Sequence, residues 1–103
     1  MEIQSRRSYF VAFFVTAFRS IEEARSRAPE AIAEHISRSN ELHEKGRLLM
    51  AGALQNGSNE PVTTMAIFYS HKEAEEFTRC DPFVLNGLVR GLCIKEWANM
   101  LKK

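Results

Sequence analysis

The chain has 103 residues, of which 45% are hydrophobic and 26% are charged, a composition typical of one globular domain. We therefore interpret residues 1–103 as a single domain. The 14 basic and 13 acidic residues nearly cancel, which argues against nucleic acid or an anionic membrane as the main partner. Cys80 and Cys93 fit neither a disulfide framework nor a zinc spacing. They are typical of reduced thiols in a cytoplasmic protein, and we expect Cys80 to lie in the core.

The N-terminal part of the chain predicts one strand and one polar connection. Residues Tyr9–Thr16 are mostly aromatic and β-branched, a composition that favours a β-strand. The stretch Ser20–Arg27 is polar and charged, and we expect a connection that contains a helical turn. Pro29 then stands where the first turn of a helix tolerates proline.

A long amphipathic helix is predicted from Ala28 to Lys45. With a rotation of about 100° per residue, one face combines apolar residues with two histidines and a serine. This face consists of Ala28, Ala31, Ile32, His35, Ile36, Ser39, Leu42 and His43. Glutamates and other polar residues, including Arg38, fall on the opposite face. Gly46 is predicted to end the helix, and Lys45 just before it complements the helix dipole.

Two further strands are predicted to pair as a hairpin. Leu48–Leu54 and Thr63–Tyr69 are largely apolar runs of strand length. The segment between them, Gln55–Pro61, is rich in turn-forming residues and contains the dipeptide Asn56-Gly57. The hairpin therefore brings these two strands together as neighbours in a sheet.

The C-terminal part of the chain predicts a short helix and a fourth strand. Ser70 has the spacing of a capping box, which begins a helix at the next residue. That helix should end before Asp81, because a residue that precedes proline avoids the α region. Gly87 and Gly91 are predicted to break the following segment, and Leu92–Trp97 has the composition of a closing strand.

The order β-α-β-β-α-β is that of the ferredoxin-like plan, an α+β sandwich with both helices on one face of an antiparallel sheet. The other face of such a sheet is normally polar where water covers it. Here both faces are apolar, since in the first strand Tyr9, Val11, Phe13 and Val15 alternate with Phe10, Ala12 and Phe14. A second apolar face predicts burial against another subunit. We therefore expect a homodimer through the sheet face, in which two sheets form a dimeric α+β barrel.

His35 is the principal candidate for chemistry, because a titratable imidazole on an inward helix face needs a partner. Asp81 is the candidate partner. A carboxylate that accepts a hydrogen bond from one ring nitrogen fixes the tautomer and leaves the other nitrogen free for substrate, so His35 can act as a general acid/base. The alternatives are a core histidine bonded to a backbone carbonyl and an aspartate that forms the turn before Pro82.

Other residues are candidates for substrate binding. Ser39 is one helical turn from His35, and its hydroxyl can bind a ligand or the helix backbone. Ser70 is explained by its cap, although a residue at the end of an inner strand can also face a pocket. Apolar strand residues are expected to line the cavity, with Phe14, Met50 and Phe68 as the candidates.

No metal ion and no cofactor are expected. His35 and His43 share a helix face, but a separation of eight residues at a rise of ~1.5 Å places them roughly 12 Å apart, too far to bind one metal ion. His43 is therefore interpreted as a helix-end residue that the dipole favours. The sequence also contains no Gly-rich phosphate loop and no nucleotide-binding fingerprint.

The order and spacing of several motifs resemble those of the YciI-like, or YCII-related, proteins. The motifs are His35, the run Leu42-His43-Glu44-Lys45-Gly46-Arg47-Leu48-Leu49-Met50-Ala51-Gly52, Ser70 with Glu73-Ala74, and Asp81-Pro82-Phe83. The resemblance extends from the first predicted strand to Trp97. The chain departs from the family in carrying Ala53 where proline often follows the Ala-Gly pair, and in long segments through Arg7 and from Phe18 to Ala28. These departures bear on the mouth of the pocket and hence on the substrate.

The resemblance implies a dimeric α+β barrel and an active site whose histidine and aspartate correspond to His35 and Asp81. Known activity in the family includes dehydrochlorination in aromatic degradation, and related dimeric barrels isomerise lactones or oxidise aromatic compounds. Two functions stand as alternatives. One is a cofactor-independent enzyme that moves a proton on a small cyclic or aromatic molecule, in a lyase, isomerase or hydrolase-like reaction. The other is a non-catalytic module or accessory subunit that binds a small molecule.

Overall fold

The computed structural model describes residues 8–54 and 60–101 of the chain. Its elements in chain order are β1 (Ser8–Thr16), α1 (Ile21–Arg27), α2 (Pro29–Glu44), β2 (Leu48–Ala53), β3 (Thr63–Phe68), α3 (His71–Cys80), α4 (Pro82–Leu85) and β4 (Val89–Ala98). The predicted β-α-β-β-α-β order is present, with two short helices, α1 and α4, added to it. The predicted turn dipeptide Asn56-Gly57 lies outside the described residues.

The four strands of this part of the chain form one antiparallel sheet in the order β2-β3-β1-β4. This order and pairing confirm the predicted ferredoxin-like α+β sandwich. In the central strand β1, Phe14 is opposite Thr64 of β3 and Leu92 of β4. Because side chains alternate along a strand, these three residues share one face of the sheet.

The hydrophobic core lies between that face and the helices. It contains Ala12, Phe14, Leu48, Ala66 and Phe68 of the sheet and Ala31, Ala74, Phe77 and Phe83 of the helices. On the opposite face, Val11 and Ile67 are only 3% and 6% exposed, whereas Phe13 and Val15 are half-buried. The second apolar face expected from the sequence is therefore present but already partly covered within a single chain.

The connection Ser20–Arg27 contains a full helix, α1, rather than a single turn. Ser20 caps it by accepting a hydrogen bond from the N–H of Glu23 at 2.9 Å. The Glu23 carboxylate accepts from the backbone N–H of Arg19 at 2.6 Å and from the Arg27 guanidinium at 2.9 Å. Both hydrogen bonds lower the pKa of Glu23, the one from the Arg19 N–H more than the one from Arg27. These local contacts stabilise a helix whose apolar pattern is too short to reveal it.

Gly46 ends α2 as predicted, in the left-handed conformation with a φ of 76°. The N–H of Gly46 donates to the carbonyl of His43, and the N–H of Arg47 donates to that of Leu42, both at 3.0 Å. This pair of bonds is the Schellman motif, which glycine favours because it lacks a Cβ. Gly87, with a φ of 70°, ends α4 in the same way.

The last strand differs from its prediction. β4 begins at Val89, so Gly91 lies within the strand rather than in a break before it. Gly91 pairs with Val15 beside a shift in register between β1 and β4. Glycine is common at such irregularities. The sequence predicted that Gly91 breaks the chain before the strand, whereas the structure has an irregularity within the strand at this position.

Two features of the surface bear on the expectations from sequence. Cys80 and Cys93 are exposed, so the expectation of a core position for Cys80 is wrong. The reason is the phase of α3, which turns Phe77 and Thr78 inward and leaves its last residue outside. None of the helices in the described ranges is both long and apolar enough to cross a membrane.

Candidate functional site

The structure brings His35 and Asp81 together. His35 lies in the middle of α2, and its Nδ1 is 2.7 Å from Oδ1 of Asp81, which stands between α3 and α4. The imidazole stacks on the ring of Phe83, with centroids 4.3 Å apart and planes 13° from parallel. The side chain of His35 is 15% exposed and that of Asp81 is 0% exposed. The pair thus reaches solvent only through the histidine.

The position of Asp81 follows from its local sequence. It precedes Pro82, which disfavours the α region, and it has the extended angles φ −68° and ψ 138°. These angles end α3 and let the side chain cap α4, so Oδ2 accepts from the N–H of Phe83 at 2.9 Å. Oδ1 is then left to face α2. The turn-forming role considered for Asp81 and its contact with His35 therefore exist together.

The hydrogen bond also assigns the histidine tautomer. A carboxylate only accepts hydrogen bonds, so Nδ1 of His35 is the donor to Asp81. The other ring nitrogen, Nε2, is then the one that remains to exchange a proton with a ligand. This is the arrangement of a general acid/base whose ring is oriented by an acidic partner.

Arg38 is a site residue that the sequence analysis placed on the outer face of the helix. Its Nη1 is 3.6 Å from Oδ1 of Asp81. The guanidinium also donates to the carbonyls of Phe77 at 3.3 Å and Glu76 at 3.4 Å, and it lies 5.0 Å from the centroid of the Phe77 ring. Arg38 therefore closes the end of α3 and balances the charge of the buried carboxylate. Its spacing of three residues from His35 was the signal that could have revealed it.

A cavity of about 620 Å³ opens beside the His35 ring. It lies between α1, α2 and the β2 side of the sheet, and most of its wall is apolar. The polar side chains that the structure places in this wall are Thr16, Arg25, His35, Ser39, Asn40, His43 and Thr64. A largely apolar pocket with a few polar groups is the usual form of a site for a small organic molecule.

Three of the five residues proposed to bind substrate line this cavity: Phe14, Ser39 and Met50. The hydroxyl of Ser39 donates to the carbonyl of His35 at 2.8 Å, so its oxygen can only accept from a ligand. Phe68 and Ser70 are not among the lining residues. Phe68 is 0% exposed in the core, and Ser70 caps α3 by accepting from an N–H at 3.2 Å.

The cavity also differs in location from the expected one. The dimeric barrel expected from the sequence has its interior between two sheets, whereas His35 faces the helix-covered side of its own sheet, together with Phe14. The reason is that α2 packs on the sheet through the same face that carries His35. A face of apolar strand residues does not by itself reveal which side the helices cover.

His43 lies in the cavity wall near the end of α2. Its Nδ1 donates to the carbonyl of Leu48 at 2.8 Å, which fixes the orientation of the ring and leaves Nε2 as the nitrogen that can contact a ligand.

Within residues 8–54 and 60–101, no group of three or more histidine, cysteine or acidic side chains is arranged to hold a metal ion. The site is therefore described by an imidazole–carboxylate pair and an apolar cavity.

The comparison with protein families gives one match. The model of the YCII-related domain matches residues 10–98, which include every described element from β1 to β4. The match covers both His35 and Asp81. No curated protein sequence matches the chain.

Solved structures resemble the fold at low sequence identity. A 5-chloro-2-hydroxyhydroquinone dehydrochlorinase from Burkholderia phenoliruptrix, in complex with 2,5-dihydroxybenzoquinone, has a TM-score of 0.61 at 17% identity and covers 86% of this chain and 92% of its own. A dimeric protein of ferredoxin-like fold from Bacteroides fragilis has a TM-score of 0.52 at 11% identity and covers 93% and 98%. A protein of unknown function from Nitrosomonas europaea has a TM-score of 0.55 at 10% identity and covers 96% and 94%. These similarities establish the fold.

Proposed function

The chain belongs to the YCII-related domain family, and on that premise we propose that it is a cofactor-independent enzyme acting on a small cyclic or aromatic molecule. His35 is the general acid/base, and Asp81 is the positioning residue that orients its ring. The observation that carries the proposal is the 2.7 Å contact between these two residues beside a largely apolar cavity. The dehydrochlorinase with a similar fold binds a small quinone, which supports the same class of ligand.

The proposed chemistry is proton transfer. Nε2 of neutral His35 takes a proton from a carbon or oxygen of the substrate, and the electron pair left behind expels a leaving group or moves into conjugation. Asp81 accepts the Nδ1 hydrogen throughout and stabilises the imidazolium that forms. The guanidinium of Arg38, 3.6 Å from Oδ1, balances the negative charge of the Asp81 carboxylate, which is buried away from water. The proton then returns to the product or to the leaving group.

A panel of halogenated hydroquinones, enol lactones and hydroxylated aromatic acids tests this function with His35→Gln beside the wild type. For any compound that is turned over, we expect the variant to lose at least ~100-fold in kcat/KM, the usual contribution of a general acid/base. His71→Gln is the matched control, since His71 is exposed and lies outside the cavity. Equal turnover by His35→Gln and the wild type contradicts the assignment. Saturable binding of panel members with no turnover supports the alternative, a binding module.

We also propose that two copies associate through the sheet face opposite the helices. Phe13 and Val15 of that face are half-buried in a single chain, and Trp97 at its β4 side is 52% exposed. Apolar residues of this kind are stabilised by a second sheet. A protein of similar fold from Bacteroides fragilis is dimeric, which supports the association of two copies.

Sedimentation velocity at micromolar concentration tests this association. We expect the wild type to sediment as a dimer and Phe13→Lys to shift towards the monomer, because the new charge would be buried between two sheets. Leu85→Lys serves as the control, since Leu85 is 70% exposed on α4 at the other side of the sheet. A monomeric wild type, or a dimer that Phe13→Lys leaves intact, rules out this interface.

A further inference from the structure

We propose that the cavity selects an organic anion and that Arg25 of α1 binds the anionic group. This inference rests on the proposed function, because it names the class of molecule that the site beside His35 accepts. It follows from the charges that line the cavity, from the bonding of Arg25, and from the cost of placing an anion in an apolar space.

The charges in the wall have one sign. None of the described residues that line the cavity is an aspartate or a glutamate, whereas Arg25 and two histidines are among them. Asp81 stands behind His35, is 0% exposed and is not in the wall. Among the described residues of the wall, a ligand therefore meets only positive or neutral side chains.

Arg25 differs from its neighbour on the same helix. Arg27 pairs with Glu23 at 2.9 Å and lies 5.3 Å from the centroid of the Phe18 ring. In the described part of the chain, no hydrogen bond or ion pair occupies the guanidinium of Arg25, although Arg25 belongs to the cavity wall. Its donors are thus available to a ligand. A guanidinium presents a planar fork that matches a carboxylate with two parallel hydrogen bonds.

An anion that enters this cavity leaves water for a mostly apolar wall, so it needs a cation to compensate the lost hydration. Arg25 supplies that cation from α1, and it lines the same cavity as His35. Because both residues line one cavity, a ring that carries a carboxylate can bind Arg25 and place another of its atoms near His35.

A pair of probes with equal shape and different charge tests the inference by isothermal titration calorimetry on the full chain. 4-Hydroxybenzoate carries the carboxylate, and 4-hydroxybenzamide replaces it with a neutral amide. We expect the wild type to bind the anion about tenfold more tightly or better, as for one charge-assisted contact. Arg25→Gln should remove this preference, and Arg25→Lys should restore part of it.

Two further variants separate this inference from the proposed function. Arg90→Gln removes the same charge from an exposed position outside the cavity, and the preference should remain. His35→Gln should keep the preference even if it abolishes turnover, because the anion binds to α1. Equal affinity for the two probes, failure of both to bind at millimolar concentration, or a preference that survives Arg25→Gln overturns the inference. If the chain prefers the anionic probe but turns over no compound, the inference about Arg25 stands and only the proposed enzymatic activity is refuted.

Discussion

Replacing Asp81 with alanine is expected to lower the free energy of unfolding by about 3–5 kcal/mol, the usual cost of removing one partner from a buried ion pair. The carboxylate is 0% exposed and has a separate contact on each oxygen. Oδ1 binds His35 at 2.7 Å and faces Arg38 at 3.6 Å, while Oδ2 accepts from the N–H of Phe83 at 2.9 Å. Alanine leaves Nδ1 of His35 and the N–H of Phe83 without their acceptor, takes the negative charge away from Arg38 and removes the cap of α4. Urea denaturation followed by circular dichroism measures the loss.

Asp81→Asn is the matched control for this experiment. The amide oxygen can still accept from the N–H of Phe83, so the cap of α4 remains. The negative charge beside Arg38 and His35 is gone in this variant. Its free energy of unfolding should therefore lie between that of the wild type and that of Asp81→Ala. A loss below about 1 kcal/mol in Asp81→Ala is incompatible with a carboxylate that is both buried and fully bonded.

Replacing Phe77 with alanine is expected to cost about 3–5 kcal/mol in the free energy of unfolding, as for other large aromatic residues of a core. The ring is buried where the core meets the site. Its centroid is 5.7 Å from that of Phe14, 5.0 Å from that of Phe68 and 6.0 Å from that of His35. The Arg38 guanidinium lies 5.0 Å from the same centroid. Thermal and urea unfolding of the variant measure the effect.

Phe77→Leu distinguishes the loss of the aromatic ring from the loss of buried apolar volume. Leucine keeps most of the buried volume, so we expect it to cost less than half as much as alanine. Binding of a ligand to the cavity should weaken in both variants, because the Phe77 ring forms part of the wall. Equal stabilities of Phe77→Ala and the wild type contradict the central position of this ring.

The elements with long apolar patterns were predictable from the sequence. β1, α2 and α3 have enough residues for the period of two or 3.6 to be recognised. Gly46 marked the end of α2 because the left-handed conformation there suits glycine. The short helices α1 and α4 were not recognised as helices, since their capping bonds stabilise them more than any apolar pattern. Gly91 was misread because a glycine in a strand and a glycine in a loop look alike in sequence.

The candidate site was predictable only in part. His35 stood out as a titratable residue on an apolar face, Asp81 was its candidate partner, and the family resemblance selected the same aspartate. Arg38 was missed because a charged residue on a helix is usually solvated, and its contacts depend on how α3 ends against α2. Phe68 could not be separated from Phe14 by pattern, since both point to the same side of the sheet and only packing decides which one borders the cavity.

Asp81 both caps α4 and binds His35, so this part of the molecule tolerates substitution less well than the α1 side of the cavity. A substitution of this aspartate changes both the cap of α4 and the partner of His35, so it affects the fold and the proposed chemistry together. On the α1 side of the cavity, Ile21 is 40% exposed and Arg25 is exposed as well, so substitutions at these two positions disturb the core less. Under the proposed function, substrate preference can therefore be engineered at these two positions of α1 while His35 and Asp81 stay unaltered.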